Sequence, residues 1–428
     1  MDGVGRMATF ALPLFLTHGR GPAEVTIDIL AVLLLARSFV EKDWYWTRPI
    51  WVRIALLWWG WQLFCSIPVA FLGSGGAGAL GEAVLSIRFM LMAAALQSWT
   101  LKDERSRRIM CALVCLCGGY IALQMLIQAA FGYNLFGMPR FVDGTLTGPY
   151  AQPRAAAPLS RLLLPMLMLG CAWIFAKAGP DHRLRGAMGA GVMTIAAVGV
   201  MVLGGQRMPF VLLLFGLLVC AALYRPVRPV AVMAALSVPL LVLMARVASP
   251  GSFRHLVLLA REQLSHFGHS PYGAIYTRAL VMAKANPWTG LGYDAFRHQC
   301  ANTAYLHGLS WFDDVPDGGG VNICAQHTHN HYLQALTNAG LPGLLLFSAL
   351  VAAWLCALWP RVRSQDTPTG FAWRTGLFVA VLVQEWPIAS TSDLMNLPLG
   401  GWAFMLLGVG LAEASPPLTR SGTSSGPT

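Results

Sequence analysis

From Tyr332 to Leu358 the chain runs 27 residues without one Asp, Glu, Lys or Arg. A run of that length crosses the ~30 Å hydrocarbon core of a bilayer only as a helix, because lipid offers no water to an unpaired backbone group. Similar runs recur along the chain. Composition closes the other routes: 56% of the residues are hydrophobic and 11% charged, against about 25% charged in an ordinary soluble domain. A soluble enzyme, a disordered chain and a secreted disulfide miniprotein are excluded. The expected fold class is all-α, a polytopic integral membrane protein with about 12 transmembrane helices and one long outer loop.

The twelve expected spans are 8–17, 24–40, 50–72, 79–99, 109–131, 155–177, 187–203, 208–224, 229–247, 332–358, 371–388 and 397–413. The first is short. It lacks a small-residue cleavage site and is not read as a cleaved signal peptide. Gly204, Gly205, Gln206 and Arg207 make a tight hairpin between the seventh and eighth spans. The net charge of +11 is no nucleic-acid signature, since only four of the thirty basic residues are Lys and no basic tract carries interleaved aromatics. The charges report topology instead. With the N-terminus in the cytoplasm, the inner connections hold 18 Lys and Arg and the five short outer ones hold 4. Cytoplasmic segments retain positive charge, so both termini are expected inside. The one long loop is then on the periplasmic side. The expected divisions are spans 1–9 over 1–247, a loop domain with short helices over 248–331, spans 10–12 over 332–413, and a disordered tail over 414–428.

Within the loop, Arg254–Ser265 is apolar enough to lie on the membrane surface. A second helix is expected from Ser270-Pro271, an N-cap followed by proline in the first turn, through Arg278 to a stop at Asn286-Pro287. Ile275 and Met282 flank Arg278 at helical spacing and place it toward an apolar side. Seven of the nine Cys lie in or beside spans and are most simply small apolar fillers. Cys300 and Cys324 both fall in the loop, where an oxidising compartment would allow a bridge.

Eight of the ten His belong to the loop or its end, and the densest group is His327, His329 and His331. The plain reading is interfacial histidines capping the tenth span together with Thr328 and Asn330; the sharper one is a site. Asp28, Glu82, Arg88, Arg161, Arg246 and Glu385 fall within spans, where each is costly unless it meets a polar cavity or an ion-pair partner. Arg140, Arg154 and Arg207 sit at outer mouths, where topology does not account for basic residues. The planar fork of arginine suits an anionic ligand, phosphate above all. Two metal readings compete. On a helix only His327 and His331 of the three could share an ion. Asp313, Asp314 and Asp317 match a DDxxD diphosphate motif, but within a Pro/Gly-rich loop. No phosphate-binding G-x-x-x-x-G-K-[ST] occurs, and a periplasmic reaction needs a donor that is already activated.

Three stretches resemble the O-antigen ligase, O-antigen polymerase and bacterial O-oligosaccharyltransferase superfamily: GGQRMPF at 204–210, RALVMAKANPWTGLGYDAF at 278–296 and HNHYLQALTNAGLPG at 329–343. A weaker match covers 147–165. Gln206 stands where the family often has Ser, and Pro153-Arg154 where it has Pro-Asn. The matches come in family order along the chain. The resemblance implies a GT-C-like, metal-independent and cofactor-free glycosyltransferase of the bacterial inner membrane, acting on an undecaprenyl-pyrophosphate-linked glycan. It carries over Arg207, Arg278 and His329 as the functional trio. Arg154, Arg161, Gln206, Arg140 and Asn330 are the further candidates for donor or acceptor binding.

The chain length favours the ligase branch, with lipid A–core as acceptor, over the protein-glycosylating branch, whose members tend to be longer; the one dominant long loop favours it over the polymerases, which often place key arginines in two periplasmic loops. On this reading the arginines would stabilise the charge of the departing pyrophosphate. His329 would take the proton of the acceptor hydroxyl as general base. A transporter of lipid-linked sugar is the reading from a different class. Repeated halves and broken mid-membrane helices would mark it, and neither is visible in the sequence.

Overall fold

The computed structural model describes residues 1–67, 76–309, 319–325, 327–362 and 366–415. Asp313, Asp314 and Asp317, and all but the first two residues of the 414–428 tail, lie outside the described residues. Helices make up 77% of the described residues, which form no strand. The helices are α1 (Asp2–His18), α2 (Arg20–Glu41), α3 (Ile50–Ser66), α4 (Gly76–Ala95), α5 (Glu104–Phe131), α6 (Ala156–Ala178), α7 (Arg183–Gly204), α8 (Arg207–Leu223), α9 (Arg228–Ala248), α10 (Pro250–Phe253), α11 (Leu259–Ser265), α12 (Pro271–Ala285), α13 (Ala295–Gln299), α14 (His331–Leu358), α15 (Pro368–Gln384) and α16 (Leu399–Ala414).

Twelve of these coincide with the twelve expected spans. Among the described residues, six helices are by length and composition apolar enough to cross a membrane: Gly78–Thr100, Glu104–Phe131, Ala156–Ala178, Pro180–Gly204, Arg225–Ala248 and His331–Leu358. Arg207–Leu223 and Leu399–Ala414 are shorter apolar helices. The bundle interior is filled by large side chains such as Trp51, Trp354, Trp402, Phe89 and Phe347. The outside is apolar as well. Along α9, Val232, Leu236, Leu240, Leu243 and Val247 are all exposed, a stripe at helical spacing that water would not tolerate but acyl chains match.

Several in-span charges are settled by pairing. Arg88 of α4 meets Asp28 of α2 at 3.2 Å, and Glu385, just past α15, meets His331 at 2.8 Å with both side chains 3% exposed. Arg246 is exposed at the end of α9, so it faces no polar cavity. In the loop, α12 begins and ends as its caps dictate: the Ser270 hydroxyl accepts the Gly273 N–H at 3.1 Å. The surface helix expected over 254–265 is present and starts four residues earlier: α10 passes through a widened turn at Arg254–Leu258 directly into α11.

One helix departs from the sequence reading. α14 is broken at Ala339 and Gly340, whose φ is +66°. A Cβ on Gly340 would stand 2.4 Å from the Trp288 carbonyl, so the glycine gives room for the loop to dock. The freed helix groups find partners in that loop: Leu341 N–H donates to the Pro287 carbonyl at 2.7 Å, and the Thr337 and Asn338 carbonyls accept from Leu291 and Gly292 at 2.9 and 3.0 Å. The break is a seam that fixes the loop to the bundle by satisfying these backbone groups across it.

Candidate active site

At the loop end of the bundle lies a cavity of about 1220 Å³, lined among others by Arg154, Arg161, Arg207, His327, His329 and Asn330. The first turns of α6, α8, α14 and α16 contribute to its wall. Helix N-termini carry partial positive charge, so four of them around one cavity favour an anion before any side chain is counted. Much of the remaining wall is aromatic and aliphatic, with Phe210, Phe267, Tyr272, Tyr276, Leu264 and Leu336.

The hairpin places Arg207. Gly205 turns the chain at φ +68°, Gln206 precedes the first residue of α8 and its side-chain amide donates to the Pro153 carbonyl. That bond ties the α7–α8 turn to the start of α6, next to Arg154. Neither the Arg207 nor the Arg154 guanidinium has a hydrogen-bond or ion-pair partner among the described residues. Arg161 lies deeper, 2% exposed. Its Nη1 donates to the Ala157 carbonyl and the Ser160 hydroxyl at 2.8 and 2.9 Å, while Nε and Nη2 are buried without a partner.

His329 is held with unusual care. Its φ is +54°, a region that costs a non-glycine residue free energy and persists only under outside constraint. The constraint is Thr391, whose N–H donates to the His329 carbonyl at 2.8 Å and whose carbonyl faces His329 Nδ1 at 3.1 Å. A carbonyl only accepts, so Nδ1 carries the hydrogen and Nε2 keeps its lone pair. Tyr272 packs edge-on at 5.3 Å and the His327 ring lies 4.1 Å away. Burial, with His327 beside it, pushes the His329 pKa down to about 4. Burial also lowers His327, whose Nε2 donates to the same Thr391 carbonyl at 3.2 Å.

The candidate residues divide. The cavity gathers His329, Arg207, Arg154, Arg161, Gln206 and Asn330. Asn330 works first as a cap, its carboxamide oxygen accepting the Tyr332 and Leu333 N–H groups at 3.0 Å each. Arg140 does not line the cavity; its fork reaches the Ala129 carbonyl at 2.6 Å and the Ser249 hydroxyl at 3.0 Å. Arg278 does not line it either. It is fully buried in the loop, donating to the Cys300 carbonyl at 2.6 Å and the Gly320 carbonyl at 3.1 Å. Cys300 and Cys324 form a disulfide whose sulfurs both lie against the Arg278 fork. Thr391 gave no sequence signal, because it acts through its backbone.

For a metal, the His327/His331 arrangement does not fit: both ring nitrogens of His331 are engaged, by Glu385 at 2.8 Å and the Ser392 carbonyl at 3.1 Å. Glu82, Asp294 and His298 bring ligand atoms within 4.8 Å of one another, away from this cavity. Arg297 already supplies a cation to Asp294 at 3.1 Å, and burial with Asp393 nearby pushes the Asp294 carboxyl up to about 7.

A bundle of apolar helices with an anion-favouring cavity at the loop end defines a polytopic membrane protein with a built ligand site. Residues 192–348 match the family model Wzy_C, O-antigen ligase, so over that stretch the chain is similar to the O-antigen ligase family. The matched stretch runs from α7 through the hairpin, the loop and His329 to the break in α14. No curated protein matches the chain.

Proposed function

We propose that this protein is an inverting O-antigen ligase, moving O-antigen glycan from undecaprenyl pyrophosphate to a sugar hydroxyl of lipid A–core at the periplasmic face of the bacterial inner membrane. The observation that carries the reading is one cavity holding an imidazole and two arginines, Arg154 and Arg207, whose Nε2 and guanidinium groups have no partner among the described residues. The charge bias of the connections supports a periplasmic loop and cytoplasmic termini.

In this mechanism the diphosphate takes the partnerless guanidinium forks, with Arg161 and the helix N-termini behind them. As the bond from the first sugar carbon to the phosphate oxygen breaks, its electron pair passes to that oxygen, where the fixed positive groups meet it. The acceptor oxygen attacks the opposite face of that carbon and inverts it. His329 Nε2 takes the hydroxyl proton. Burial favours the neutral ring, which leaves Nε2 able to accept a proton, and a bound diphosphate would oppose the downward shift by favouring the charged ring. Arg278 acts at one remove, fixing the loop that carries Tyr272 and Tyr276. No residue in this scheme needs a metal.

The test is reconstitution in detergent with EDTA, using purified protein, lipid-diphosphate glycan and lipid A–core. Glycan on the core supports the ligase. Glycan joined to glycan would make the protein a polymerase, and relocation across liposomes without transfer would make it a transporter.

A further inference from the structure

Beside the Arg207 hairpin lies a second histidine that the scheme above leaves unused. α10 packs into that hairpin: a Cβ on Gly205 would stand 3.0 Å from the Ser252 Cα, and one on Gly251 would stand 2.8 Å from the Asp143 carbonyl. The Ser252 hydroxyl donates to the Leu203 carbonyl at 2.6 Å. One turn further on is His255, which with Asp143 lines the same cavity as Arg207 and His329. His255 Nε2 lies 3.4 Å from Asp143 Oδ2, an ion pair when the ring is charged. The other Asp143 oxygen is fixed by the Thr145 N–H and hydroxyl at 2.9 and 2.6 Å. His255 Nδ1 has no partner among the described residues.

We propose that His255, oriented by Asp143, is the proton donor to the diphosphate leaving group. This rests on the reading of the cavity as a diphosphate-glycan site. An anion arriving beside Arg207 places the ring between two negative groups, Asp143 on one side and phosphate on the other. That arrangement stabilises the imidazolium. The charged groups that line the cavity with it are Asp143 and Arg154 from the 132–154 segment, Arg161 from α6 and Arg207 from the hairpin; the Arg140 fork is turned away toward the Ala129 carbonyl. The step balances. The sugar-to-phosphate bond breaks with its pair on oxygen, the acceptor oxygen bonds the sugar carbon, the acceptor proton goes to His329 Nε2, and the His255 Nδ1 proton goes to the freed phosphate oxygen. His329 then releases its proton to water and His255 recovers one. Two histidines in one cavity thus do opposite work: His329, against neutral Thr391, takes a proton, and His255, against a carboxylate, gives one.

Proton bookkeeping tests this. Farnesyl diphosphate is titrated into the full-length protein in detergent, by calorimetry in two buffers of different ionisation enthalpy at pH 7.5. Wild-type protein and His329→Gln are expected to take up a proton on binding, and His255→Gln to take up none. Transfer by His255→Gln is expected to fall about 10²-fold. Asp143→Asn, which keeps the loop's hydrogen bonds with Thr145, is expected to reduce both uptake and rate. A merely structural His255 would not change the proton count. Uptake that survives in His255→Gln and disappears in His329→Gln overturns the proposal while leaving the ligase reading intact. Absence of any farnesyl diphosphate binding to wild-type protein contradicts the diphosphate site itself, and this proposal with it.

Discussion

Thr391 grips His329 at two points, its N–H on the His329 carbonyl at 2.8 Å and its carbonyl on His329 Nδ1 at 3.1 Å. One residue therefore fixes both the left-handed backbone and the ring tautomer of the proposed base. The 385–398 segment reaches the site from the far side of α15, so the base is assembled from two parts of the chain about sixty residues apart.

The depressed pKa of His329 has a signed consequence. With a folded value of about 4 and an unfolded one near 6.5, the unfolded chain binds the extra proton between those limits. Stability from this group is full above about pH 6.5 and is lost as pH falls toward 4. The thermal midpoint of wild-type protein should drop more between pH 7 and pH 4.5 than that of His329→Gln. The acid limb of kcat/KM for transfer should lie below the 6.5 of a free imidazole.

His329→Ala should lower kcat by about 10²- to 10⁴-fold, the usual range for a lost general base, with donor binding largely kept. Turnover at the wild-type rate in a coupled transfer assay would remove the base from the scheme.

Arg207→Lys and Arg140→Lys separate two kinds of arginine. Lysine keeps the charge and loses the planar fork. At Arg207 the rate should fall by about 10²-fold, in the range for losing one well-placed donor to a developing oxyanion. At Arg140, whose fork serves the backbone at Ala129 and a serine, the loss should appear in thermal stability and leave kcat unchanged.

His331 and Glu385 form a buried pair. Glu385→Ala takes the partner from His331 Nδ1 while Nε2 keeps the Ser392 carbonyl, and breaking such a buried pair costs about 3–5 kcal/mol. Unfolding in detergent should show that loss, accompanied by weakened activity, because His331 is two residues from the base.

The disulfide and Arg278 stabilise the same lobe. Cys300 and Cys324 are 24 residues apart with Cα atoms 5.4 Å apart, and removing a bridge of that span costs about 2–4 kcal/mol. Cys300→Ser and Arg278→Ala should each increase proteolysis of the 271–325 region. Their combined effect should be less than additive, since the Arg278 fork is bonded to the Cys300 carbonyl.

How much the sequence disclosed depends on the kind of signal. Apolar runs and charge bias need no tertiary context, and the twelve expected spans fall on helices within a few residues. The cap at Ser270 and the stop at Asn286 are equally local. The break at Gly340 was hidden, because the LPG that follows reads as ordinary apolar helix until the 287–292 segment is seen docking against it. Arg278 shows the opposite case: its motif drew attention, and its apolar flanks placed it correctly in an interior, but only the fold reveals that this interior is the disulfide lobe and not the cavity. Thr391 and Asp143 left no trace, since one works by backbone and the other by a contact across more than a hundred residues.

The most direct measurement is a cryo-EM structure in lipid nanodiscs with the lipid-diphosphate glycan bound. The account predicts diphosphate density within hydrogen-bond reach of Arg207 and Arg154, with the first sugar toward His329 Nε2. Diphosphate density against Arg140 or Arg278, with the His329 cavity empty, would contradict it.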